Sequence, residues 1–228
     1  VGSEMCIRDS ALSPPGFGAP VPWGFHATPA EYVEWLASEI ETMGGPVDLV
    51  GHDWGAGHVF GLAAERPDLI RSWASDCGAL IHPDYEWHDM AQAWQTPDVG
   101  ETVVEAMFGG DLVDRVEQYL AMGLTWEVAR DVAAAGTPEM GVCILRLYRA
   151  AAQPFMRELG ERLAAADRRP ALFLVASEDH FVPAALVPDV AASVGADQHV
   201  LDGQEHWWML HAVDEAADAL DRFWTGLD

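Results

Sequence analysis

Apolar and polar positions along the chain change period several times. Short apolar-rich runs at residues 47–50, 69–74 and 171–176, with a shorter one at 198–201, predict strands. The run at 47–50 reads as a buried strand. Between the runs the period lengthens to that of a helix. Tyr32, Val33, Leu36 and Ile40 recur on one helical face. Thr28-Pro29-Ala30-Glu31 ahead of them reads as a capping box with Pro at the first helical position, and Gly44-Gly45-Pro46 stops the helix. Residues 56–66 predict a further helix ended by Pro67, and 207–224 an amphipathic closing helix.

From residue 81 to 153 strand signals vanish. Helical stretches dominate, for example 111–122, 126–135 and 141–152, with aromatic residues scattered through them. Strands alternating with helices on either side of this stretch predict an α/β fold, a mostly parallel sheet covered by helices on both faces. The domain reading is a core of residues 11–80 and 154–228, with 81–153 inserted as a helical lid. Residues 1–10 carry no usable periodicity and lack the basic start and apolar middle of a signal peptide, so they read as a non-native leader. The segment from Ser13 to Pro20 is Pro/Gly-rich turn chemistry.

Charge narrows the partners. The 37 acidic residues outnumber 12 basic ones, all of them Arg, for a net charge of -25. Such a surface repels phosphate backbones and anionic lipid, which argues against nucleic-acid and membrane partners. No stretch is apolar enough for a membrane span. Cys6, Cys77 and Cys143 have no metal-like spacing, and their odd number argues against a disulfide framework, so a cytoplasmic location is expected. Neither a metal nor a cofactor is called for.

The chemistry centres on Gly51-His52-Asp53-Trp54-Gly55, where the strand at 47–50 stops and a helix begins at once. This is the strand–turn–helix setting of a nucleophile elbow, with Asp53 where a serine would stand. A side chain at Gly51 or Gly55 is expected to crowd the strand against the helix. A carboxylate raised on such a turn can attack carbon and form an ester, which water must then hydrolyse. That second step needs a base, and His206 lies between the last strand and the closing helix. Two acids compete to orient it. Asp179, in Ser177-Glu178-Asp179-His180-Phe181-Val182-Pro183, has a flanking motif; Asp76, at the end of the strand after the elbow, has none, and Asp179 is preferred.

On these motifs the chain resembles the α/β-hydrolase superfamily, and Gly51-His52-Asp53-Trp54-Gly55-Ala56 resembles its epoxide hydrolase and haloalkane dehalogenase branch. The resemblance runs from Pro14 to the end of the chain. It implies Asp53, Asp179 and His206 as catalytic residues, and more strands before residue 14 than this chain holds, so an N-terminally truncated member is expected. For epoxide opening the resemblance implies a lid tyrosine as proton donor, which falls on Tyr148; a further tyrosine usual in that branch is replaced here by Met90. For halide release the indoles of Trp54 and Trp94 would serve. Trp54 stabilises the leaving group in either reading. Trp87, Met90, Trp94 and Phe108 suggest an apolar pocket for a small hydrophobic substrate. The expected activity is hydrolysis of epoxides through an ester on Asp53, with haloalkane dehalogenation as the alternative. The alternative of another class is a non-catalytic member that binds a small apolar ligand.

Overall fold

The computed structural model describes residues 9–227; most of the leader expected at residues 1–10 lies outside them. The chain order is α1 (Pro29–Met43), β1 (Val47–Gly51), α2 (Trp54–Glu65) and β2 (Ile70–Ser75). Then come α3 (Asp89–Gln95), α4 (Val99–Gly109), α5 (Leu112–Ala121), α6 (Trp126–Ala135), α7 (Pro138–Ala150) and α8 (Phe155–Ala165). The chain closes with β3 (Ala171–Ala176), α9 (Val187–Val194), β4 (Asp197–Leu201) and α10 (Val213–Thr225).

The capping box forms as the sequence predicts. The Thr28 hydroxyl accepts the Glu31 N–H, the Glu31 carboxylate accepts the Thr28 N–H, and Gly44 ends α1 at φ 90°. All strand pairs are parallel, in the order β1-β2-β3-β4. Helices cover both faces. Phe60 of α2, Trp73 of β2 and Phe173 of β3 meet edge to face on one side, and Leu172, Leu174 and Leu201 pack with Trp208 and Ala216 on the other. Burying each of these large side chains contributes about 1.5–3 kcal/mol. Helices α3 to α7 form an insert between β2 and β3.

Two expectations need correction. The run at 47–50 is not a fully buried strand: among the described residues β1 ends the strand order, Val47, Asp48 and Leu49 are half-buried, and Val50 is 50% exposed. The pattern identifies a strand, but its neighbours decide whether it is central. The closing helix does not start at residue 207 either. Trp208–Leu210 is a short 3-10 turn, Ala212 has a non-helical backbone, and α10 begins only at Val213.

Candidate active site

The turn between β1 and α2 raises Asp53 in a strained conformation. Its φ of 52° and ψ of -120° lie outside the regions that ordinary residues occupy. Gly51 makes the turn possible, because a Cβ there would meet the Gly55 carbonyl oxygen at 2.6 Å. Gly55 does not share that constraint: a Cβ at Gly55 meets nothing within 4 Å. The expectation that both glycines avoid crowding is therefore corrected to Gly51 alone. The Asp53 N–H donates to Asp76 Oδ1 at 3.1 Å.

The other half of the site comes from the loops after β3 and β4. Asp179 Oδ1 accepts the backbone N–H groups of Phe181 and Val182 at 2.7 and 3.1 Å. Its Oδ2 lies 2.9 Å from His206 Nδ1. With a carboxylate at Nδ1, that nitrogen carries the proton and Nε2 is left with its lone pair free. Burial alone would push the His206 pKa down, but the Asp179 hydrogen bond and the charges of Asp53, Asp179 and Asp76 lift it above the ordinary histidine value. Asp76, the competing acid, makes no bond to His206. It accepts instead from His52 Nδ1 at 2.5 Å and from the Trp208 indole at 2.8 Å.

Asp53 and His206 line one cavity, which encloses about 550 Å³ of empty space including its open mouth. Trp54, Trp87, Met90, Trp94 and Tyr148 line it as well. Phe108 does not. It packs among Val104, Gly136 and Gly141 within the insert, so its expected place in the pocket is corrected. Tyr148, on α7, has its ring edge-on to Trp54 with centroids 5.2 Å apart, and lies 4.7 Å from Trp94. Burial and the Asp53 charge push its pKa well up, so it holds its proton, while hydrogen bonding with Trp54 pulls the other way. The Nε1 atoms of Trp87 and Trp94 are buried with no hydrogen-bond partner.

Tyr85, His88, Phe181, Val182 and Trp207 complete much of the wall, and the sequence did not single them out. The Tyr85 hydroxyl donates to the Phe181 carbonyl at 3.1 Å. His88 Nδ1 accepts the Ala91 N–H at 3.3 Å, which caps α3 and puts the ring proton on Nε2. Burial holds its pKa down. The available signal was position: both residues flank Trp87, and His88 precedes the α3 run that holds Met90 and Trp94. For a metal, Cys77 Sγ, a carboxylate oxygen of Asp179 and a ring nitrogen of His206 fall within 4.8 Å of one another. Burial and neighbouring carboxylates push the Cys77 thiol pKa well up, so it stays a thiol rather than a ligating thiolate.

The profile of the family described as alpha/beta hydrolase fold matches residues 14–212. The chain belongs to this family. Among the described residues its sheet has four strands, fewer than a full member's. Among solved structures, a loop variant of the haloalkane dehalogenase DbeA from Bradyrhizobium elkanii is 23% identical at a TM-score of 0.71, over 94% of this chain and 79% of that one. E-2-(acetamidomethylene)succinate hydrolase is 21% identical at a TM-score of 0.65, over 89% of this chain and 75% of that one. An alpha/beta hydrolase enzyme from a Medee basin deep-sea metagenome library is 16% identical at a TM-score of 0.71, over 93% and 78%. These likenesses concern the fold. No curated protein matches the chain. No helix among the described residues is long and apolar enough to cross a membrane.

Proposed function

We propose that this chain hydrolyses epoxides of small hydrophobic compounds through an ester on Asp53. The observation that carries the reading is one cavity wall holding Asp53, the His206 ring bonded to Asp179, and Tyr148. In the first step the Asp53 carboxylate attacks an epoxide carbon and the carbon–oxygen bond breaks. Tyr148 gives its proton to the departing oxygen, which remains on the substrate as a hydroxyl. In the second step His206 Nε2 takes a proton from water, and the oxygen attacks the ester carbonyl. The diol leaves with a new hydroxyl, Asp53 is a carboxylate again, and the proton on His206 returns to Tyr148 through solvent. The apolar wall of Trp87, Met90 and Trp94 selects a hydrophobic substrate.

A second reading is haloalkane dehalogenation. The unpartnered indole N–H groups of Trp87 and Trp94 favour it, since buried donors without acceptors suit a departing anion. The same Asp53 ester and His206 step serve both reactions.

The test is mass spectrometry of His206→Gln incubated with a reactive epoxide or a haloalkane. A trapped adduct on the Asp53 peptide is expected, because the ester forms and is not hydrolysed. Absence of the adduct with either electrophile overturns the reading.

A further inference from the structure

We propose that Asp76 is a positioning residue, which holds the nucleophile turn and the histidine loop at one fixed separation for the water-attack step; this rests on the Asp53 ester reading. Asp76 immediately follows β2 and is 4% exposed. Its two oxygens face two different loops. Oδ1 accepts the backbone N–H of Asp53 itself. Oδ2 accepts the Trp208 indole, two residues beyond His206 and 132 beyond Asp76, together with His52 Nδ1 beside the nucleophile. One carboxylate thus ties the turn that carries the nucleophile to the loop that carries the base.

A buried carboxylate is costly unless its acceptor sites are filled. Here burial opposes the charge, but the charge of His52 and hydrogen bonds from His52, Trp208 and the Cys77 thiol outweigh it. The bond to the Asp53 N–H also falls on the residue that carries the backbone strain. A strand end that only needed packing would use an apolar side chain there.

The two chemical steps differ in what they require. Ester formation needs Asp53 and a bound electrophile. Hydrolysis needs Asp53 and His206 aligned on one water, which is the separation that Asp76 fixes. Loosening the tie therefore slows the second step selectively.

Asp76→Asn tests this, because one amide cannot accept on both sides and one tie must break. The two steps are followed by rapid quench and mass spectrometry with the epoxide or haloalkane that esterifies Asp53. Hydrolysis is expected to slow by about tenfold to a hundredfold, as for a misplaced reacting group, with ester formation nearly unchanged and ester accumulating. Trp208→Phe cuts the histidine-side tie alone and should act in the same direction; it decides the matter if Asp76→Asn does not fold. Equal slowing of both steps, or no change, in a folded variant overturns the proposal. A ligand-free readout separates it from the functional reading. Asp76→Asn should shift the Trp208 indole N–H resonance or speed exchange of the Asp53 amide, and if neither moves the tie is absent. A wild-type chain that never esterifies Asp53 removes the functional reading and with it the hydrolysis role, whereas the ligand-free readout still tests the tie.

Discussion

The imidazoles of His52 and His206 lie 4.8 Å apart, tilted by 45°, and each is bonded to a different aspartate. The division of labour follows from the partners: Asp179 addresses the ring that lines the cavity, and Asp76 the ring beside Asp53.

A pH dependence follows. His206 must be neutral to take a proton from water, and its pKa is raised above 6.5. Hydrolysis of the ester should therefore rise with pH, through a midpoint below the pKa of His206 in the free chain, because an esterified Asp53 no longer adds its charge. Asp179→Asn should move the midpoint down and lower the plateau by about 10²-fold or more, read from a pH–rate profile. An unmoved midpoint would remove Asp179 from this role. Stability has the opposite slope. The folded state holds the His206 proton more tightly than the unfolded chain does. The pair's stabilisation is thus complete below the unfolded pKa of about 6.5 and is lost as pH rises through the folded value.

Tyr148→Phe removes an O–H and keeps the ring, so packing among Trp54, Trp87 and Trp94 changes little. Epoxide opening should fall by about 10²-fold, measured as the rate of ester formation on Asp53. Intact opening would exclude Tyr148 as the acid.

The indoles separate the two reactions. Trp94→Phe deletes a buried N–H that has no protein partner. Under the dehalogenase reading, bromide binding, followed by quenching of tryptophan fluorescence, should weaken by about tenfold, as for one lost hydrogen bond to a charge. Unchanged bromide affinity in Trp94→Phe would argue against this indole as a halide donor.

Gly51→Ala and Gly55→Ala should differ sharply in thermal unfolding. The first drives a Cβ into the backbone of Gly55 and Ala56 and should cost about 1–3 kcal/mol. The second meets open space and should be close to neutral. Equal melting temperatures for the two variants would show that the turn relaxes.

Much of this site was legible because its residues sit at chain-local signals. Asp53 lies between an apolar run and a helix, Asp179 just past a strand, and His206 before the last helix. The cavity wall was less legible because it is assembled across elements. Tyr85 and His88 carry no motif of their own, and Phe108, although aromatic and within the insert, turns into its packing. The incomplete burial of β1, with Val50 exposed, was hidden because strand periodicity does not count neighbours. The late start of α10 was hidden because Trp207 and Trp208 continue an apolar pattern, while their indoles are bonded elsewhere, to Met122 and Asp76.

The bond from the Trp207 indole to the Met122 carbonyl, 3.0 Å long, joins the residue after His206 to the C-terminal cap of α5, and both residues line the cavity. It couples the end of α5 to the loop that carries His206. Any outward swing of the α5 end that admits a larger molecule must either break this bond or pull on the histidine's own loop. The enzyme would then be most strongly aligned for water attack when the insert is seated, and least when it is displaced. Bulky compounds that hold the insert open would accordingly be turned over slowly even where they enter and react with Asp53.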